Sequence, residues 1–238
     1  MAVTKTIKSP DGARHSKVQV SEPMLKQAAY DNIVKLLNDG ALRPGQLISQ
    51  RELVELTGST LGSVREAISR LEAEGLIQSL PKRGLMVPSL DIAFVRDAYQ
   101  LRRILEVSAM EQAIKNIPKE TIEGWIDYHL QFRDQISSKT PQELLDFMQQ
   151  LDWDIHSAFI QAMGNKLIEN VYRVTSTKIH MVVQSRLKVT ISNAERIVGE
   201  HLAMLNPMND GNAEEAKAAL ERHIDNSLTL ALGGQLEL

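Results

Sequence analysis

The chain of 238 residues contains no cysteine, which excludes a disulfide framework and any metal site built on thiolates. It also lacks an apolar run near the ~20 residues of a membrane span, and its N-terminus lacks the apolar core of a signal peptide. Hydrophobic residues make up 43% of the chain and charged residues 24%, which is typical of a globular protein. We therefore expect a cytoplasmic protein of one large or two modest domains, with no membrane partner.

Charge is divided unevenly along the chain, although the formal net charge is only −3. Residues 1–90 hold 12 Lys and Arg against 9 Asp and Glu, whereas the remainder holds 15 against 21. A basic first part joined to an acidic second part is typical of a polyanion-binding module attached to a domain with another role. Residues 1–20 show no helical period, and we interpret them as a mobile N-terminal arm.

The basic part of the chain contains a helix-turn-helix pattern. Apolar residues at helical spacing predict three helices: 25–37, 50–56 and about 60–75. Ser49 and Glu52 form a capping box before the second helix, and either Ser59 or Thr60 caps the third. Thr57-Gly58 lies between these two helices as a turn, and two helices so separated are the signature of a helix-turn-helix.

Two short apolar stretches, 76–80 and 85–87, follow the third helix and are expected to be β-strands. They flank Pro81-Lys82-Arg83-Gly84, a basic hairpin tip. A helix-turn-helix followed by such a hairpin predicts a winged helix-turn-helix.

This region resembles the winged helix-turn-helix of GntR-type bacterial transcription regulators over about residues 25–88. Four segments carry the resemblance: Pro44-Gly45, Arg51-Glu52-Leu53, Val64-Arg65-Glu66-Ala67 and Leu71-Glu72-Ala73-Glu74-Gly75-Leu76. The resemblance implies a DNA-binding domain over 21–88 that inserts the second helix of the motif into the major groove. It also implies a regulator, most often a repressor, that binds double-stranded DNA at a palindromic operator as a homodimer.

Candidate DNA-contact residues follow from this motif. Thr60 and Arg65 lie on the leading part of the helix that enters the groove, where a hydroxyl binds phosphate or a base edge and a guanidinium pairs with guanine. Further contacts are expected from the preceding helix and the wing tip: Arg51, Lys82, Arg83 and Gly84. The alternative for Arg65 is an ion pair with a neighbouring Glu. Leu61 and Gly62 depart from the family, which usually has Arg and a small polar residue there, so the family's operator sequence does not carry over.

The remainder of the chain shows no alternating strand pattern. Breaks rich in Pro, Gly and Asn divide it into six predicted helices: 91–116, 119–137, 141–163, 166–187, 193–206 and 212–232. Four of them have a candidate N-terminal cap: Asp91, Thr140 with Glu143, Ser192 with Glu195, and Asn212 with Glu215. We therefore expect a mainly α fold, in which the winged helix-turn-helix is followed by an all-α bundle over 92–232.

A carboxylate and three histidines mark a candidate metal site in this bundle: Asp152, His156, His201 and His223. Asp152 and His156 are four residues apart and so share one face of a helix. One carboxylate with three imidazoles suits a divalent ion, Zn²⁺ foremost, with Ni²⁺, Mn²⁺ and Fe²⁺ as alternatives. A single helical histidine is more often an ordinary core or surface residue, and His129 and His180 lie outside the pattern.

This second part resembles the ligand-sensing FCD domain of the FadR-like branch of the same family, in its six-helix form. The Asp-x-x-x-His pair, followed by later histidines in Glu-His and Arg-His contexts, matches the metal-binding pattern of that domain. The resemblance further implies that Arg102, four residues before Glu106, lies near a small carboxylate effector, which a guanidinium can bind through two hydrogen bonds. An ion pair between Arg102 and Glu106 is the alternative.

Together these features favour a metabolite-responsive transcription regulator that senses a small organic acid at a divalent metal. Two alternatives remain: the metal itself is the signal, or the metal is structural and the effector binds elsewhere. A metal-dependent hydrolase is disfavoured, because no obvious general base accompanies the ligands and because a helix-turn-helix has no role in it. We therefore expect no enzymatic activity.

Overall fold

The computed structural model describes residues 22–147, 151–186 and 190–236, so the predicted arm over 1–20 lies outside the described residues. The described helices and strands run in this order: α1 (Glu22–Asn38), β1 (Leu47–Ile48), α2 (Gln50–Thr57), α3 (Leu61–Ala73), β2 (Gln78–Leu80), β3 (Gly84–Met86), α4 (Ile92–Asn116), α5 (Lys119–Gln135), a 3₁₀ turn (Ile136–Ser138), α6 (Pro141–Asp146), α7 (Asp152–Ala162), α8 (Lys166–Arg186), α9 (Ile191–Asn209) and α10 (Ala213–Ala231). This is the mainly α fold that the sequence predicts. None of the described helices has the length and apolarity needed to cross a membrane.

The N-terminal part is a winged helix-turn-helix. The predicted capping box is confirmed, since the Ser49 side chain accepts from the backbone N–H of Glu52 while the Glu52 side chain accepts from that of Ser49. Of the two candidate caps of α3, Thr60 holds the position and accepts from the backbone N–H of Ser63. Helices α2 and α3 follow each other across a turn in which Gly58 has a left-handed backbone, which glycine adopts without strain.

The wing is a three-stranded antiparallel sheet in the order β1-β3-β2. Strand β1 was not predicted, because two residues are too few to show an alternating pattern. The prediction that the strand after α3 begins at residue 76 was wrong. Leu76 and Ile77 are buried, and their backbone N–H groups donate to the carbonyl of Leu71, so they close the end of α3 before β2 begins.

The C-terminal part is a helical bundle. Helix α4 packs against α7, α8 and α10, and α9 packs against α5 and α10. The prediction of one helix over 141–163 differs from the structure, which describes α6 and α7 separately, with residues 148–150 outside the described part. The other predicted helices agree with the described ones to within a few residues.

Helix α9 differs from its prediction at both ends. Its cap is Thr190, which accepts from the backbone N–H of Asn193, and not Ser192 with Glu195. The helix continues through Pro207 to Asn209 instead of ending at 206. A proline inside a helix removes one backbone hydrogen bond, and here burial of Pro207 and Met208 in the bundle offsets that loss.

Candidate metal centre and DNA-contact residues

The predicted DNA-contact residues are exposed, and three of them have partners within the domain. Arg65 Nε lies 3.2 Å from Gln50 Oε1, so its predicted alternative partner, a neighbouring Glu, is not the one found. Arg51 pairs with Glu55 on its own helix at 3.3 Å and is 90% exposed. Neither contact buries a guanidinium, and both cations remain available to DNA. The hydroxyl of Thr60 donates to Ser63 Oγ and accepts from the backbone N–H of Ser63, so its role in this structure is to cap α3.

Gly84 shapes the wing. Its φ is +95°, and a Cβ at this position would lie 3.0 Å from the carbonyl oxygen of Ile48 in β1. Lys82 at the tip has a φ of 62°, the left-handed conformation that a hairpin of this type requires. The tip cations Lys82 and Arg83 are exposed. Glycine is therefore required at 84 by the sheet itself, whether or not the residue touches DNA.

Asp152, His156, His201 and His223 converge inside the bundle from helices α7, α9 and α10. All four are buried, and their candidate ligand atoms lie within 4.8 Å of one another. Asp152 Oδ1 lies 2.9 Å from the Nε2 of His201, 3.6 Å from that of His223 and 3.7 Å from that of His156. Around an ion with bonds of about 2.0–2.2 Å, neighbouring ligand atoms lie about 3–3.5 Å apart. The spacing therefore fits a divalent ion.

Two of the three rings are oriented by carboxylates on their outer side. His223 Nδ1 donates to Glu200 Oε2 at 2.8 Å. His156 Nδ1 lies 2.6 Å from Glu106 Oε2, a close ion-pair contact without the alignment of a hydrogen bond. A proton held at Nδ1 leaves the lone pair on Nε2, and the Nε2 atoms of His156 and His223 face each other at 3.2 Å.

His129 of α5 orients the third ring. Its Nδ1 lies 2.6 Å from the carbonyl oxygen of Trp125, so Nδ1 carries the proton and Nε2 accepts. His201 Nδ1, 2.9 Å from that Nε2, is then the donor, which leaves the lone pair of His201 on its Nε2. This buried Nε2 has no hydrogen-bond partner and lies against the carboxylate of Asp152.

In the neutral tautomers that these contacts favour, three Nε2 lone pairs and a carboxylate oxygen meet, and a donor is present among them only when His156 is protonated. Such an arrangement is repulsive unless a cation lies between the four atoms, and it is the arrangement that a metal ion requires of its ligands. Burial lowers the pKa of His129 and of His223 to about 4 and also lowers the pKa of His201, which keeps these imidazoles neutral. At His156 burial acts in the same direction, but Glu106 outweighs it and raises the pKa. The donor set fits a resident divalent ion.

Comparison with known proteins identifies both parts of the chain. Residues 25–87 match the bacterial regulatory proteins of the gntR family, and residues 97–226 match the FCD domain. The chain belongs to the GntR family. It is a DNA-binding transcription regulator with a helical FCD domain.

Relatives agree with this assignment, and a solved structure shares the fold. The HTH-type transcriptional regulator BphR of Paraburkholderia xenovorans is 25% identical over 87% of this chain and 84% of its own length. The HTH-type transcriptional regulator LutR of Bacillus subtilis is 22% identical over 80% of this chain and 94% of its own. The structure of Escherichia coli McbR/YncC covers 88% of this chain and 97% of its own with a TM-score of 0.71 and 15% identity, which shows a shared fold.

Arg102 lies beside the four-residue cluster of the FCD domain. Its Nε donates to Glu106 Oε1 at 2.7 Å, and both side chains are buried, so the predicted alternative of an intrahelical pair is present. The guanidinium also lies 4.5 Å from the centre of the Trp153 ring. Its Nη2 is buried and has no hydrogen-bond partner, which leaves one donor group for an anion.

Sequence reasoning placed His129 outside the site, and it assigned Glu106 only to Arg102. His129 is 72 residues from His201, and no local pattern could connect them. Glu106 contacts both Arg102 and His156, and the second contact depends on how α4 packs against α7. His180, which the sequence pattern also left outside the metal site, lies with its ring 4.0 Å from that of Trp153.

Proposed function

We propose that this GntR regulator holds a divalent metal, Zn²⁺ foremost, through Asp152, His156, His201 and His223, and that a small carboxylate metabolite is sensed there. The observation that supports the proposal is the convergence of three Nε2 lone pairs and one carboxylate oxygen at 2.9–3.7 Å. When bound, the ion supplies an electrophilic centre with coordination positions beyond its four protein ligands.

Arg102 is the proposed effector-binding residue of the FCD domain. Its charge is held in place by Glu106, and its free Nη2 supplies a donor next to the metal ligands. A guanidinium binds carboxylates with defined geometry. The effector class that suits this donor and a divalent ion is a small organic acid.

The DNA-binding domain acts as one half of a homodimer, because a palindromic operator matches a two-fold symmetric protein. Arg65 contacts base edges. Four further residues contact the DNA backbone or position the domain against it: Arg51, Thr60, Lys82 and Arg83. The family resemblance favours repression. The carboxylate changes DNA affinity by binding one placement of the DNA-binding domains better than the other.

A second candidate function is that the metal itself is the signal. The burial of all four ligands favours it, since a closed site binds an ion without need of a second ligand.

Fluorescence anisotropy with labelled DNA from upstream of the encoding gene tests both candidates. Purified protein is stripped with EDTA, reloaded with Zn²⁺, and titrated with acetate, lactate, succinate and citrate. A carboxylate that changes DNA affinity only in the metal-loaded protein supports the proposal. A change produced by Zn²⁺ alone, with no further response to any acid, supports the metal-sensing candidate. Protein that binds no divalent ion overturns both.

A further inference from the structure

Helix α8 belongs to both domains. Tyr172, Ile179 and Val182 are buried in the core of the bundle, whereas Met181 is buried in the core of the winged helix-turn-helix. One face of α8 therefore packs on the effector-sensing part and another on the DNA-binding part. A rigid helix that packs on both domains can couple the position of one domain to the state of the other.

Arg173 ties α8 to the end of the recognition helix α3. Its Nη2 lies 2.8 Å from Oε1 of Glu74, the C-cap residue of α3, and its Nη1 donates to the hydroxyl of Tyr30 on α1. The Tyr30 hydroxyl in turn donates to Glu74 Oε2 at 2.5 Å. Burial opposes ionisation of Glu74, but the hydrogen bonds from Arg173 and Tyr30 prevail and lower its pKa, so a carboxylate faces the guanidinium.

Tyr172, the preceding residue of α8, faces the metal ligands. Its hydroxyl donates to Glu106 Oε1 at 2.6 Å, and Glu106 Oε2 lies 2.6 Å from Nδ1 of His156. The side chains of consecutive helical residues point about 100° apart. Tyr172 therefore contacts the helical bundle, whereas Arg173 contacts the DNA-binding domain. Contacts of less than 3 Å thus lead from His156, a proposed metal ligand, through Glu106 to Tyr172. The backbone of α8 joins Tyr172 to Arg173, which contacts Glu74 at the end of the recognition helix.

A cavity interrupts the packing between the two domains beside this connection. It has a volume of about 600 Å³, lies between α1, α7 and α8, and is lined in part by Tyr30, Trp153, Tyr172, Arg173 and His180. A domain interface with such a gap is repacked at lower cost than a continuous one. Beside this cavity, the Arg173 contacts join α8 to Tyr30 of α1 and to Glu74 at the end of α3.

We propose that Tyr172 and Arg173 are positioning residues that couple the metal centre to the recognition helix. Occupation of the centre fixes Glu106 and Tyr172, and α8 transmits this to the Arg173–Glu74 contact that holds the end of α3. The two placements of the DNA-binding domain differ in this contact, so the state of the centre changes DNA affinity. The inference rests on the proposed metal site.

The experiment measures DNA affinity by anisotropy with and without Zn²⁺, and Zn²⁺ affinity by calorimetry, on the full chain. Wild type is compared with Arg173→Gln, Glu74→Gln and the double variant. Arg103→Gln is the matched control, since Arg103 is a partly exposed arginine whose pair with Asp225 at 3.1 Å lies within the bundle. Circular dichroism confirms that each variant is folded.

In wild type, loading with Zn²⁺ is expected to change DNA affinity by roughly 5-fold or more, within the usual range of coupling between two sites, whether or not a carboxylate then changes it further. Each single variant is expected to lose that response, and the double variant to lose no more than either, because both remove the same contact. Zn²⁺ affinity stays near wild type in all of them, and Arg103→Gln keeps the full response. Retention of the response in Arg173→Gln overturns the coupling, as does a wild type that binds Zn²⁺ without any change in DNA affinity. Absence of Zn²⁺ binding overturns the proposed function itself.

Discussion

His129 Nε2 accepts from His201 Nδ1 at 2.9 Å, so a residue outside the four-ligand cluster determines which nitrogen of His201 faces the candidate metal. Replacing His129 with Leu removes that acceptor while keeping an apolar side chain of similar bulk. We expect metal affinity to fall about 10- to 100-fold, as is usual when the partner of a metal-binding histidine is lost. Calorimetric titration with Zn²⁺ measures the change.

The matched control for that variant is His180→Leu, which replaces another histidine of the bundle that packs on Trp153 and not on a ligand ring. An equal loss of metal affinity in both variants would mean that general packing, and not the hydrogen bond, accounts for the effect.

Removal of a ligand is expected to abolish stoichiometric metal binding. In His201→Ala the metal content by mass spectrometry should fall well below one ion per chain. The thermal stabilisation by added metal should vanish with it. A ligand at 100 times its dissociation constant stabilises the folded state by about 2.7 kcal/mol, so the wild-type shift is large enough to measure. His180→Ala should keep both the ion and the shift, and a normally loaded His201→Ala would contradict the assignment.

Alanine at Gly84 and at Gly62 should have opposite effects on stability. At Gly84 a positive φ and the Ile48 carbonyl at 3.0 Å make a Cβ strained, which is expected to cost about 1–3 kcal/mol. At Gly62, in α3, a Cβ meets no atom within 4 Å, and alanine should stabilise by up to about 1 kcal/mol. Urea unfolding measures both, and a Gly84→Ala variant as stable as wild type would show that the wing does not need glycine at 84.

The two proposed kinds of DNA contact, to bases and to phosphates, are distinguished by their dependence on salt. Arg65→Gln should lower affinity for the specific duplex by about 1–3 kcal/mol and leave a scrambled duplex nearly unaffected, because it removes a base contact. Lys82→Gln should weaken both duplexes alike and reduce the slope of log affinity against log salt by about 1, because it removes a phosphate contact. Anisotropy titrations at several salt concentrations distinguish the two, and identical profiles would refute the assignment of Arg65 as a base reader.

The domain contact at Tyr30 should weaken at alkaline pH. Burial and the hydrogen bond to Glu74 raise the pKa of Tyr30 from 10.0 to about 12. A raised folded-state pKa means that this stabilisation is complete below pH 10 and is lost as the pH rises from 10 to 12. The stability difference between wild type and Tyr30→Phe should therefore shrink over that interval, as measured by urea unfolding. A difference between the two proteins that stays constant from pH 10 to 12 would contradict this cause.

The features that could be predicted from sequence are mostly those that depend on residues close together in the chain. The caps at Ser49, Asp91 and Asn212 depend on residues three positions apart, and all three are found. The spacing of Asp152 and His156 placed them on one helical face, and the structure brings both to the cluster. Thr190 and Ser192 are two residues apart, and both are of a type that caps helices. Capping propensity alone does not decide between them.

The parts that sequence could not supply depend on tertiary packing. The contacts of Glu106 with His156, and of Arg173 with Glu74, join helices far apart in the chain. Nothing in the local sequence distinguishes Arg173 from any other half-exposed arginine on a helix. Strand β1 exists because β3 is beside it, and an isolated Leu47–Ile48 has no strand signature.

Strand β1 leads directly into Ser49, the cap of α2, and pairs with β3 through Ile48 and Leu85. Main-chain hydrogen bonds therefore fix the distance between the wing tip and the helix-turn-helix, and neither can swing without breaking the sheet. In the proposed homodimer, each DNA-binding domain would therefore keep a constant spacing between its recognition helix and its wing tip. In such a dimer, a signal can alter the distance between the two rigid DNA-binding domains. It cannot alter how each domain fits its own half-site.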